Sequence, residues 1–253
     1  MEAWSRWFRA WPLLLRGRFL EAWQDSTGFW ASILARGINN SLWLLVFYLF
    51  FLRFPEVRGF RFEDLVLTWA MAFGALGLLQ VLWGGVLGLA RLAETGELEV
   101  HLALPVPPLP YLLSLRLQPT GLGDLLWSMG TLVFLGVNWL YALCALIGAS
   151  LVALGFFLAL ASLSLWGLRV QSLLPVAYAG LVQFATWPPN VYKPAIKALL
   201  LSLIPALWLG PLPARAVVEG SGLLTLWASG LGFLALGSVG FWVGLRRYVA
   251  PGG

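Results

Sequence analysis

Six long apolar runs divide this chain: about Phe29–Leu52, Leu65–Leu89, Leu122–Gly136, Trp139–Leu168, Leu173–Trp187 and Leu223–Leu245. They are continuous rather than alternating in character. Helices, not barrel strands, are therefore predicted to cross a bilayer whose hydrocarbon core is about 30 Å thick. The second and fourth runs exceed that thickness and are expected to tilt or protrude. Only Gly136-Val137-Asn138 separates the third run from the fourth.

Ahead of the first run, Trp4, Trp7, Phe8, Trp11, Leu14, Leu15 and Phe19 recur at three- and four-residue steps, with Arg6, Arg9 and Arg16 mainly on other faces. That pattern predicts an amphipathic helix over residues 1–25, lying in the membrane interface. Its tryptophans would sit at headgroup depth and its arginines would reach anionic lipid. Pro12 is expected to bend it.

Two stretches are neither span nor simple turn. Residues 91–119 hold Glu94, Glu97, Glu99, His101 and four closely spaced prolines, Pro105, Pro107, Pro108 and Pro110. Gly96 is predicted to break the long second helix, and Glu97-Leu98-Glu99-Val100-His101-Leu102 to begin a short new piece. Leu98, Leu102 and Pro105 would face the protein or membrane, while Glu97, Glu99 and His101 would stay in water. The prolines would end the piece, giving a stiff knob; an ordinary solvated loop is the alternative. In the second stretch, 186–220, the apolar core Ala198–Leu209 is too short to cross. Pro205 interrupts it, and Pro211 and Pro213 follow. A segment over 188–220 that enters the membrane and returns is expected, because irregular backbone is tolerated at depth when protein surrounds it.

Composition turns these runs into a class. Hydrophobic residues make up 60% of the 253 positions and charged residues 11%, with a mean hydropathy of +0.84. A soluble domain carries about 25% charge, so a soluble enzyme, a disordered chain and a nucleic-acid binder are all excluded. With both termini inside, the inner segments hold Arg6, Arg9, Arg16, Arg18, Arg91, Arg116, Arg169, Arg246 and Arg247. The outer ones hold Arg53, Arg58, Arg61, Lys193, Lys197 and Arg215. The excess inside favours cytoplasmic termini. The arginine-interrupted start reads as no secretory leader. Cys144 has no intrachain partner, and with His101 alone beside it a nitrogen or sulfur metal site is not expected.

Few polar groups lie within the runs. Arg36 and Asn40 share a helix face that is expected to turn into the bundle. Asp124 is expected to cap the third span at Gly121–Gly123, with proton transfer as the alternative. Gly74, Gly77, Gly84, Gly88, Gly148 and Gly155 are expected at close helix contacts. No His-Glu-x-x-His, Gly-x-Ser-x-Gly or paired intramembrane carboxylate is present. The only lysines, Lys193 and Lys197, precede Pro194 and Ala198, so there is no Walker A loop. A pump built on this chain would draw its energy from another polypeptide.

Gly96-Glu97-Leu98-Glu99-x-x-Leu102-x-x-Pro105, then Pro188 to Tyr192, Ile204-Pro205 and Pro213-Ala214, follow in an order that resembles the membrane subunits of type 2 ABC exporters, in the branch whose short six-span permease is encoded apart from its ATPase. The resemblance covers nearly the whole chain. It implies an all-α, polytopic fold with a single transmembrane domain over 1–253. It also implies extracellular re-entrant helices at 194–213, in which Pro205, Pro211 and Pro213 fall, and a contact with a nucleotide-binding subunit. That contact would be made by Glu97, Leu98, Glu99, Leu102 and Pro105 together with the N-terminal helix and its Trp4, Trp7, Phe8 and Trp11. Two ATPase copies, which would bind the ATP and magnesium, and a second permease protomer, identical or not, would complete the assembly in membrane lipid. A prokaryotic cytoplasmic membrane and an amphipathic or hydrophobic cargo are implied as well. Two rival classes remain: an ion-coupled secondary transporter or channel, which needs an essential buried carboxylate, and a non-transporting membrane scaffold.

Overall fold

A computed structural model of the chain describes residues 2–249, and the side chains of all of these except residues 2–6 and 8–10. The described residues form helices joined by short turns. In chain order these are α1 Glu2–Gln24, α2 Ser26–Arg53, α3 Phe62–Leu82, α4 Leu89–Glu94, α5 Leu98–Leu102, α6 Pro108–Leu113, α7 Pro119–Phe134, α8 Trp139–Ser162, α9 Leu173–Ala185, α10 Pro194–Ser202, α11 Pro211–Glu219 and α12 Leu223–Leu245. Four of them, α2, α3, α8 (with the 3-10 turn that follows it) and α12, are long and apolar enough to cross a membrane. The pair α10 and α11, bent by 71° at Pro205, would make a fifth if counted as one broken span. The third and fifth predicted runs become α7 and α9, helices of 16 and 13 residues.

Every one of the six apolar runs carries a helix, but the second stops early. The prediction carried it to Leu89, whereas α3 ends at Leu82 and a 3-10 turn over Gly84–Gly88 redirects the chain into α4. The cause is a close approach of backbones. A Cβ on Gly84 would stand 2.7 Å from the Arg116 carbonyl oxygen, and one on Gly85 would run into the carbonyls of Leu112 and Leu113. These glycines seat the last turn of α6 and the chain that follows it.

Contacts fix the relative directions of the helices. Gly74 packs on Ser128 and Gly77 on Gly121, so α3 and α7 are antiparallel. Gly123 packs on Ile33 and Trp127 Nε1 donates to Ser41 Oγ at 3.0 Å, so α2 runs parallel to α7. Gln80 Nε2 donates to Tyr178 Oη at 2.7 Å, and Trp69 Nε1 donates to the Thr186 carbonyl at 2.8 Å. Helix α9 therefore runs antiparallel to α3 and matches its height over most of its length. Helices α8 and α12 lie parallel with no side chain between them at two places seven residues apart. A Cβ on Gly230 would stand 2.8 Å from the Gly148 carbonyl, and one on Gly237 would meet the Gly155 carbonyl. In lipid, where burying an apolar side chain gains little over leaving it in the acyl chains, close contacts of this kind hold helices together.

The bundle has two ends. At the one that holds α1, Glu94 accepts from the amides of Val170 and Gln171, and Tyr248 Oη donates to the Ala93 carbonyl at 3.1 Å. We call this the proximal end. At the distal end, Arg58 and Asn190 exchange side chain-to-backbone hydrogen bonds. Most of α3 and α8 is buried at the centre, while almost none of the midsection of α2 is.

Helices α10 and α11 begin and finish near the distal end. Pro205 breaks them apart, Ala206 and Leu209 are fully buried, and Gly210 at the bend approaches the Thr68 carbonyl of α3. Pro211 opens α11 and Pro213 sits in its first turn, both buried, where a proline's missing N–H has no helical partner to lose.

Candidate functional site

The knob over residues 96–105 takes the form its sequence predicts. Gly96 adopts a left-handed conformation at φ +79°, which a residue with a Cβ would resist, and the chain restarts as α5 for five residues. Leu98 is wholly buried in the main apolar cluster and Leu102 packs on its edge. Glu99, Val100, Ala103, Leu104 and Pro105 stand exposed. Pro105 thus faces outward and not into the protein, the first of the two places expected for it, because the helix ends at Leu102 before its stripe reaches that residue. Glu97 is exposed and pairs with Arg91 at 2.8 Å. That hydrogen bond holds the Glu97 carboxyl below its ordinary value of 4.5.

The N-terminal helix docks on this segment. Trp7 is buried and meets Tyr111 edge-on, with ring centroids 6.4 Å apart. Tyr111 in turn lies against His101 of α5, its hydroxyl 3.4 Å from Nδ1. Trp11 Nε1 donates to Ser114 Oγ at 3.2 Å. Trp7 and Trp11 thus face protein, where Tyr111 offers an aromatic edge and Ser114 a hydroxyl. Leu13, Leu20 and Trp23 remain exposed on the same helix. The side chains of Trp4 and Phe8 lie outside the described residues. Pro12 sits within α1 without ending it.

Glu94 was legible only as one more charge in a polar loop. Its Oε1 accepts both from Val170 N at 2.7 Å and from Gln171 N at 2.8 Å, tying the root of the knob to the turn that starts α9. The partners are backbone amides more than seventy residues away, so no side-chain pattern announces them.

A second polar centre lies inside the bundle. Asp124 is wholly buried; it accepts from Asn40 Nδ2 at 2.9 Å and faces Arg36 Nε at 3.2 Å. The inward face predicted for Arg36 and Asn40 is thus where they lie. Asp124 is no cap, however. Helix α7 starts at Pro119, which puts Asp124 beyond its first turn and pointing across to α2. A charge held at this depth is tolerated because it is paired. Among the described residues no group of three or more His, Cys, Asp or Glu side chains could hold a metal ion.

The arrangement is an exposed knob clamped at its root and backed by an amphipathic helix, on a bundle with no metal-binding cluster among the described residues. Its sequence matches the family model described as ABC-2 family transporter protein over residues 38–252. The chain belongs to the ABC-2 transporter family. The match takes in the knob and every helix from α3 onward, while α1 and the first half of α2 precede it. Neither a curated protein nor a solved structure matches the chain. As an ABC-2 family member this is an integral membrane protein, a permease of the ABC transporter type, and the family implies an ATPase as its partner.

Proposed function

We propose that this chain is the transmembrane permease subunit of an ATP-driven exporter, pairing with a second permease protomer and moving an amphipathic cargo outward across a prokaryotic cytoplasmic membrane. The observation that carries the reading is the ledge formed by Glu99, Val100, Ala103, Leu104 and Pro105. It is exposed, part acidic and part apolar, and stiffened from behind by buried Leu98, by the Glu94 tie and by α1 through Trp7 and Trp11. An ATPase subunit seated on such a ledge, one under each protomer, would push on α4 and on the start of α9 together.

Six crossings are the topology we favour. The directions support it: α2 and α7 run one way, α3 the other, and α8 and α12 are parallel, so the chain between them must return once. Helix α9 supplies that return. At 1.5 Å per residue α7 and α9 are shorter than the roughly 20 residues of an ordinary span, so the membrane would thin or their flanks snorkel at these two. Both ends of the α10–α11 hairpin lie at the distal end, which favours entry and return over a broken span. The excess of arginine at the proximal end favours a cytoplasmic position for it and for both termini.

The test is co-purification of the tagged chain with the ABC ATPase encoded beside it, from membranes in mild detergent. A stable complex that is lost when Glu97 and Glu99 are both changed to lysine is expected. If the unmodified chain retains no ATPase, the coupling role fails.

A further inference from the structure

We infer that a cavity at the proximal end of the bundle binds the anionic head of an amphiphile. The cavity measures about 410 Å³ and lies between α2, α3, α9 and the chain leading into α7, a size within the usual range for ligand sites. Arg36, Arg91 and Arg116 line it, and no carboxylate does. Arg36 is shared with Asp124 and Arg91 with Glu97. Arg116 has no carboxylate within ion-pair distance among the described residues. A smaller cavity of about 180 Å³ adjoins it, sharing Gly88, Arg91 and Arg116 and adding Arg18 from α1, His101 and one carboxylate, Glu97, which is the partner of Arg91. Where the two meet, Gly88 lets the Arg116 guanidinium lie alongside the backbone. Guanidinium groups gathered in this way, with low-dielectric walls behind them, focus a positive field and match the oxygens of a phosphate or carboxylate.

The neutral lining is oriented toward the same ligand. Thr120 Oγ1 donates to Gln80 Oε1 at 3.0 Å, and Gln80 Nε2 donates to Tyr178 Oη at 2.7 Å. The Tyr178 oxygen is thereby used as an acceptor, which leaves its own hydrogen to donate to an anion. Arg36 sits well inside α2, at a depth where an ionisable residue is expensive and marks a binding or transport path. An apolar tail also has a place to lie, because Pro175 lines the cavity while its neighbours Leu173 and Val176 are exposed on the outer face of α9. That combination selects an anion carried on an acyl or alkyl chain over a free one. The claim that such an amphiphile is the cargo rests on the exporter reading; its binding does not.

The test is native mass spectrometry of the purified chain in neutral detergent, titrated separately with dodecyl phosphate, dodecanol, dodecyltrimethylammonium and inorganic phosphate. Dodecyl phosphate is expected to bind and the other three to bind far more weakly. Arg116→Gln, an exposed side chain, should weaken dodecyl phosphate roughly tenfold. Tyr178→Phe should weaken it less, and Arg53→Gln at the distal end not at all. Equal binding of dodecyl phosphate to the Arg116→Gln and unmodified chains, or equal binding of dodecanol or the cation, overturns the site. Inorganic phosphate binding as tightly as dodecyl phosphate overturns the amphiphile and makes the ligand a free anion. The measurement needs no ATPase, so failure of co-purification and failure of this site are separately visible.

Discussion

Glu94 Oε1 lies 2.7 Å from the amide nitrogen of Val170 and accepts its hydrogen bond, joining the last turn of α4 to the turn that starts α9. The same oxygen takes the Gln171 amide, so a displaced knob cannot leave α9 behind without breaking two charge-assisted bonds. Glu94→Ala is expected to cost about 2 kcal/mol locally. Hydrogen exchange at residues 170–174 should accelerate while ATPase co-purification persists and ATP-driven transport falls. Unchanged exchange there would show that the tie holds nothing.

Asp124 and Arg36 form a pair in which each partner makes the other tolerable. Asp124→Leu leaves a cation facing an apolar wall and should destabilise by roughly 3–5 kcal/mol, nearer the lower figure because Arg36 is partly exposed. Adding Arg36→Met should recover most of that loss in a double-mutant cycle read by unfolding in detergent. Asp124→Asn tests the ion-coupled alternative. It should leave ATP-driven transport working, and abolished transport with intact stability would favour proton movement through this carboxylate.

The Glu97 carboxyl is held below 4.5 by its hydrogen bond to Arg91. A depressed acid contributes stability that is present above its unfolded value and lost as pH falls through the folded one. A nitroxide on Val100→Cys, with Cys144→Ala, should therefore grow more mobile as pH drops from 6 to below 4. With Glu97→Gln added, its mobility should no longer depend on pH. A pH-independent signal in the first variant would remove Glu97 from the knob's anchorage.

Gly155→Val drives a branched side chain into the Phe233–Leu234 backbone of α12. An overpacked contact of this sort costs about 1–3 kcal/mol or more, visible as a lowered melting temperature in detergent. Gly232→Val, on a face of α12 with nothing near it, should melt close to the unmodified chain. Equal melting of the two variants would mean that α8 and α12 do not touch along their glycines.

Hydropathy located every long helix, because a continuous apolar run leaves the backbone no choice but to satisfy itself internally. The Pro205 break and the Gly96 turn were legible for a similar reason, since each residue's own backbone constraint acts locally. What escaped depends on distant partners. Leu82 ends α3 because carbonyls of residues 112–116 need the space that Gly84 and Gly85 leave, and nothing within the run Leu65–Leu89 encodes them. Asp124 looked like a cap because glycines precede it; its true partners sit on α2, 84 and 88 residues back in the chain. The tryptophan stripe of α1 was correctly periodic, but periodicity cannot tell a lipid headgroup from Tyr111.

A seam filled by backbone rather than side chains has little room to slide, so α8 and α12 behave as a single plank on which the rest of the subunit is mounted. Helix α2 is the opposite case. Asp25 caps it at the elbow with α1 through its bond to Gly28, Asp124 holds its middle through Arg36 and Asn40, and Phe51 is buried against α3 at its distal end, all through side chains on one face. Such a helix is a strut tacked along one edge, and a push delivered to α1 would pass down its length instead of swinging it.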